Sequence, residues 1–153
     1  MEKPHPFAME KQVHGSCVEI AGTGVLLRGP SGSGKSDLAL RLIDGGARLV
    51  ADDRVDLTIE DAGLMASAPR VLSGMIEVRG VGLARLPSVA RARIGMVIDL
   101  VDDDAVERLP EPAVCRLLGV DVRQIRLAAH SASAAAKVRL AVDAVSRNSL
   151  VAP

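Results

Sequence analysis

The sequence predicts an α/β domain, rich in strand and closed by a C-terminal helix. Three observations carry that reading. Short apolar runs recur along the chain, each of strand length and bounded by turn residues. A glycine-rich segment at 29–34 leads from one of these runs into apolar residues spaced four apart. Near the end, Val138, Val142 and Val145 repeat at helical spacing.

Taken in order, residues 1–12 are polar and are expected to form a loose segment, leaving 13–149 as one domain. Residues 17–21 and 25–28 flank Gly22-Thr23-Gly24 and read as a β-hairpin with a three-residue loop. Leu38 with Leu42, and Ala39 with Ile43, predict an amphipathic helix over 36–43 that Gly45-Gly46 stops. Arg48–Ala51 is a short buried strand delivering Asp52-Asp53. Val55, Leu57 and Ile59 alternate with polar residues up to a turn at Asp61-Ala62-Gly63. Residues 75–79 and 95–101 are further strands, with Arg91 and Arg93 assigned to a surface loop between them. Asp102-Asp103-Asp104 opens a polar loop reaching Pro112, and Val120–Leu127 alternates as a strand does. Ser131 or Ser133 caps the final helix, which runs to about residue 147.

Composition narrows the function classes. The 153 residues suit one domain, and 48% apolar content suffices for one core. Nineteen basic and nineteen acidic residues cancel, which argues against a nucleic-acid or anionic-membrane footprint. With no Trp or Tyr and one Phe, a base-stacking platform cannot be assembled. No apolar run reaches the roughly 18 residues of a membrane span. The charged, proline-broken N-terminus does not read as a signal peptide, so a cytoplasmic protein is expected, with Cys17 and Cys115 as buried thiols.

The chemistry begins at Gly29-Pro30-Ser31-Gly32-Ser33-Gly34-Lys35-Ser36, which fits G-x-x-x-x-G-K-[ST] at every defined position. Glycines let backbone N–H groups turn inward around phosphate oxygens, and the following helix N-terminus adds positive partial charge. In this pattern Lys35 reaches the outer phosphates and the Ser36 hydroxyl ligates Mg²⁺. The alternative is a glycine-rich turn at a helix start, but the preceding strand and following helix favour phosphate binding. Only four of the nineteen basic residues are Lys, which makes an accidental match rarer.

Length arithmetic places Asp52 and Asp53 beside that loop. The helix carries the chain about 12 Å away from the phosphates. The strand 48–51 returns about 13 Å, to the level of Lys35. Two carboxylates at a strand end there suit metal or water positioning, with turn capping as the structural alternative. The hairpin, folded about Thr23, sets His14 opposite residues near 31–32 and so beside the loop. Met75, Glu77 and Arg79 share one strand face, which is either solvated or, given Gly80 and Gly82, turned toward a ligand. No Asn-Lys-x-Asp guanine-reading motif occurs, and the chain is too short for a two-motor helicase. A compact phosphotransferase or a nucleotide sensor remains.

His14-Gly15, the loop at 29–36, Leu49-Val50-Ala51-Asp52-Asp53 and Ile76-Glu77-Val78-Arg79-Gly80-Val81-Gly82 together resemble the bacterial HPr kinase/phosphorylase family, closely over about 13–85. The resemblance implies a nucleotide-binding fold similar to that of phosphoenolpyruvate carboxykinase. It implies phosphorylation of a serine of HPr, the phosphocarrier of the sugar phosphotransferase system, with ATP or pyrophosphate as donor and Mg²⁺ as cofactor. Phosphate-dependent removal of that group is the reverse activity, and hexamers are the usual assembly. Carried over, Lys35 holds the phosphates, Ser36 and Glu77 ligate Mg²⁺, Asp53 supported by Asp52 is the base, and His14 lies in the phosphate site. Arg108 resembles the family's later catalytic Arg. The chain resembles the short, catalytic-domain-only form, and residues 127–132 stand without Arg where the family has a Pro-Val-Arg-Pro-Gly-Arg stretch tied to dephosphorylation. A small-molecule kinase of similar fold and a non-catalytic nucleotide sensor are the competing expectations.

Overall fold

A computed structural model describes residues 10–147. It contains eleven strands and two α-helices: β1 (Glu10–His14), β2 (Ser16–Ile20), β3 (Thr23–Arg28), α1 (Lys35–Asp44), β4 (Arg48–Ala51), β5 (Arg54–Glu60), β6 (Gly63–Ser67), β7 (Met75–Val78), β8 (Gly82–Arg85), β9 (Arg91–Leu100), β10 (Ala113–Leu117), β11 (Val120–Leu127) and α2 (Ala134–Ser146). Nine strands join in one sheet, ordered β1-β5-β6-β9-β3-β2-β4, with β11 also paired to β9 and β10 to β11. β7 and β8 pair with each other as a separate ribbon.

Four strands of this sheet run parallel: β9 pairs in parallel with β3 and β11, while β4 and β3 both run antiparallel to β2. Their C-terminal ends therefore open on one edge. The segments that leave them are 29–34, 52–53, 101–105 and 128–131. In open α/β sheets that edge is where ligands bind.

Strand alternation divides the core in two. Val18, Val25 and Leu27 face Leu38, Leu42, Val138 and Val142 of the helices, while Cys17 and Leu26 face Val55, Leu57, Leu64 and Ala66 of β5 and β6. Strand β9 serves both sides by changing phase. Gly24 pairs with Ile94 and Val25 with Met96, so Gly95 is an extra residue, a β-bulge. Ala92 and Ile94 point into the β5–β6 core, whereas Met96, Ile98 and Leu100 point at the helices. Each fully buried Leu in these clusters contributes on the order of 2 kcal/mol.

Helix α1 starts on Gly34, whose left-handed φ of 96° breaks the extended loop before Leu38 N–H donates to Gly34 O at 2.9 Å. Leu38, Ala39, Leu42 and Ile43 form its buried stripe, and the chain leaves through Gly45 and Gly46. Arg139 of α2 donates to the carbonyls of Arg41 and Leu42, tying the second helix to the C-terminal turn of the first.

The structure corrects several expectations. The hairpin loop is Ala21-Gly22, two residues with φ of 49° and 88°, because Ile20 pairs with Thr23. Such positive φ values match a twisted two-residue turn. Residues 10–12 belong to β1, paired with β5; residues 1–9 lie outside the described residues. Arg91 and Arg93 open β9 rather than lying in a loop, since Ala92 and Ile94 between and after them are buried. Arg91 pairs there with Glu60. Strands β8 and β10, at edges with mostly exposed residues, carry too little apolar signal to be read from sequence.

Candidate functional site

The loop 29–34 leaves β3, whose end is clamped. Arg28 donates to both Asp99 oxygens, at 2.9 and 3.1 Å, and Gln124 donates to the same carboxylate, tying β3, β9 and β11 together. The Asp99 carboxylate holds the Arg28 guanidinium above its ordinary pKa against the opposing effect of burial. From this anchored edge the loop turns through Ser33 N–H to Pro30 O, at 3.0 Å, and enters α1. The Lys35 ammonium lies over the loop, donating to Gly29 O at 2.7 Å and Pro30 O at 3.0 Å.

Asp52 and Asp53 meet this loop from β4. The Ser36 hydroxyl donates to Asp52 Oδ1 at 2.8 Å, and so does the Ser16 hydroxyl, at 2.6 Å. Asp53 follows with φ of 68°, and Arg54 N–H donates to Asp52 O at 2.8 Å. This is a γ-turn of the rare positive-φ kind, centred on Asp53. The Asp53 carbonyl accepts Gly15 N–H at 3.1 Å, which fixes the turn against the start of β2. Asp53 itself is exposed.

His14 arrives beside this turn by a different route from the one expected. The strand breaks at Gly15, and His14 pairs with Arg54 through β1 and β5 rather than lying opposite 31–32 through the hairpin. A side chain at position 15 would put its Cβ 2.7 Å from Leu27 O, so the break needs glycine. His14 is exposed.

Two candidates stand apart from these contacts. Glu77 lies on the exposed face of β7, while Ile76 packs into the helix-side core. Arg108 is exposed in the loop before β10. Glu77 pairs along the ribbon with Leu83, and neither its side chain nor that of Arg108 has a hydrogen bond or ion pair among the described residues.

A cavity of about 840 Å³ opens next to the loop, lined by residues 30–33, by Asp102 and Asp103, and by Ala128, His130 and Ser131. The strand β11 delivers the last three. His130 packs so close to Gly34 that a Cβ there would sit 3.3 Å from its Cε1 and 2.8 Å from Ala129 Cβ. Arg41 of α1 holds this segment by donating to the carbonyls of Ala129 and Ser131. Ser16, Arg41 and His130 were not legible as site residues. Nothing local marks them; the one available signal was that 127–132 is a departure from the pattern the chain otherwise resembles.

The set suits a nucleotide with its divalent cation. Among the described residues no cluster of three His, Cys, Asp or Glu could hold a metal. Mg²⁺ on a polyphosphate needs only one or two protein groups, however, and the Ser36–Asp52 pair at the loop supplies them.

Comparison with known proteins places the chain among its relatives. The family model described as HPr Serine kinase C-terminal domain matches residues 5–151. The HPr kinase/phosphorylase of Clostridium tetani is 42% identical over 132 residues, covering 79% of this chain and 43% of that protein. That of Polaromonas naphthalenivorans is 34% identical over 158 residues, covering 95% of this chain and 49% of the relative. The chain thus spans about half the length of the curated relatives it matches. A solved structure, of the Hpr(Ser) kinase/phosphatase from Coxiella burnetii, superposes with a TM-score of 0.76 at 30% identity, covering 90% of this chain and 89% of that one.

Proposed function

Since the chain belongs to the HPr serine kinase C-terminal domain family, we propose that it is an ATP- and Mg²⁺-dependent kinase for a serine of HPr or an HPr-like carrier. The observation that carries this reading is the meeting of Lys35, Ser36 and Asp52-Asp53 at one glycine-rich loop. Residues 29–36 act as the phosphate-binding loop of a fold like that of phosphoenolpyruvate carboxykinase. Backbone N–H groups and the Lys35 ammonium bind the β- and γ-phosphates. The nucleoside lies in the adjoining cavity, where Asp102, Asp103 and Ser131 offer hydrogen-bonding groups to its hydroxyls.

Mg²⁺, when bound, neutralises charge on the phosphate oxygens, with Ser36 and Asp52 holding it and Glu77 as a further ligand. The carrier's serine oxygen attacks the γ-phosphorus, the bond to the β-phosphate oxygen breaks, and ADP leaves. Asp53 takes the serine proton, and its exposed position at the mouth of the loop suits a base that must meet a protein substrate. His14, beside Asp53, contacts the transferred phosphate, and Arg108 from the loop before β10 offsets charge on it. In the reverse direction inorganic phosphate attacks the phosphoserine phosphorus, Asp53 returns the proton to serine, and pyrophosphate is released. Pyrophosphate can therefore also serve as donor.

No described helix is long and apolar enough to cross a membrane. We place the enzyme in the cytoplasm, as a homo-oligomer, with the described residues 10–147 as one catalytic domain.

The test is intact-mass measurement of purified HPr-type carrier incubated with the protein, ATP and Mg²⁺. A gain of one phosphoryl group establishes the kinase, and its loss on adding phosphate establishes the reverse activity. Nucleotide binding without any gain in mass would replace this reading with a nucleotide sensor or a small-molecule kinase.

A further inference from the structure

We infer that Ser16 is a positioning residue for Asp52, and through Asp52 for divalent-cation binding at Ser36; the inference rests on the proposed reading of this loop as a nucleotide–Mg²⁺ site. Among the described residues Ser16 is the one polar residue in the buried class, with 0% of its surface exposed. A hydroxyl out of water needs a partner, and Ser16 Oγ has one, donating 2.6 Å to Asp52 Oδ1. That bond is short and charge-assisted, so it is a strong one.

The same Oδ1 accepts the Ser36 hydroxyl at 2.8 Å, while Oδ2 has no protein donor among the described residues. The two donors are not equivalent. Ser36 lies in the first turn of α1, is half-buried, and is the residue that must turn its oxygen toward a cation. Ser16 opens β2 inside the sheet, paired with Leu27 of β3, and the next residue, Cys17, pairs with Ala51 of β4. Held in the sheet beside Leu27, Ser16 offers the Asp52 carboxylate a donor in a fixed position. Ser16 thus fixes the carboxylate whether or not ligand is present. With its hydroxyl proton donated to that fixed carboxylate, Ser36 keeps its oxygen lone pairs for a cation, and Oδ2 is left without a protein donor among the described residues. Without Ser16, Ser36 alone would hold the carboxylate, and the carboxylate could turn away from it.

The experiment is titration of Mn²⁺, read by electron paramagnetic resonance, into protein saturated with ADP. Wild type, Ser16→Ala, Ser16→Cys and Ser36→Ala are compared, with metal-free ADP affinity and thermal denaturation measured for each. Ser16→Ala is expected to weaken Mn²⁺ binding about tenfold, the scale of one charge-assisted hydrogen bond, with metal-free ADP affinity unchanged. Ser16→Cys, nearly the same shape with a weaker donor, should fall between and carries the test if the alanine variant does not fold. A folded variant with wild-type Mn²⁺ affinity overturns the inference, as does a loss of ADP and Mn²⁺ affinity in parallel, which marks a merely structural role. Wild type that binds Mn²⁺–ADP but leaves the carrier unmodified sinks the kinase reading while the Ser16 result stands. Wild type that binds no Mn²⁺ overturns both.

Discussion

The Lys35 ammonium donates to the carbonyl of Gly29 at 2.7 Å, joining the first helical residue to the residue that opens the loop. The loop therefore carries its own cation, held by backbone at the point where phosphate charge must be met. Lys35→Ala removes both the closure and the charge. It should lower phosphoryl transfer at least about 100-fold, the scale of losing one strong electrostatic stabiliser, while the denaturation midpoint stays near wild type. Carrier phosphorylation measured by intact mass checks this, and wild-type turnover would remove Lys35 from the mechanism.

Asp53 sits at the centre of a strained turn, with φ of 68°. Asp53→Gly should relieve that strain and stabilise the fold by about 1 kcal/mol, raising the denaturation midpoint by about 3 °C. The same change abolishes the base. Asp53→Asn, which also tolerates positive φ, should leave nucleotide affinity intact and reduce turnover by at least about 100-fold. Calorimetry and initial rates on both variants separate the two effects. Lower stability for the glycine variant would show that the turn is unstrained.

Lys35, Ser36 and Asp52 were legible in sequence because their meeting depends on local quantities: a loop pattern, a helix rise and a strand rise. His14 reached the right neighbourhood by the wrong route. The register arithmetic assumed one continuous strand, whereas Gly15 breaks it and β1 pairs with β5, forty residues away, at Arg54. Ser16 and His130 meet partners just after β4 and in the loop, and no periodicity within their own segments marks that. The alternation that should have revealed Arg91 and Arg93 as strand residues is reset by the extra residue at Gly95, so the two halves of β9 read as different things.

Cys17 is fully buried, and burial pushes its thiol from 9.0 up to about 12. In the unfolded chain the thiol ionises near 9, so from there upward the unfolded state binds fewer protons than the folded one. Stability is thus undiminished by Cys17 below about pH 9 and falls by roughly 1.4 kcal/mol per pH unit between there and about pH 12. Cys17→Ala should flatten this part of the curve relative to wild type in denaturant titrations at pH 9, 10 and 11. A thiol reagent at pH 8 should label half-buried Cys115 in the native protein and spare Cys17. Equal labelling would mean that β2 opens readily, and the alkaline slope would then be absent.

The bulge at Gly95 gives a test of how the two cores are joined. A Cβ at this position would lie 2.7 Å from Thr23 Cγ2 and no closer than 3.9 Å to Thr23 Cβ. Gly95→Ala should therefore cost about 1–2 kcal/mol through a single methyl. Thr23→Ser removes that methyl, so the double variant should recover most of the loss, a coupling visible in a double-mutant cycle. Gly24→Ala is the contrast. Its Cβ would lie 2.7 Å from Arg93 O, a backbone atom that no side-chain change can move. It should destabilise the fold by a similar or greater amount, with no recovery from Thr23→Ser. Recovery in both pairs would mean that the clash is relieved by backbone movement. The phase change in β9 would then be a soft feature of the strand, and not one fixed by contact with Thr23.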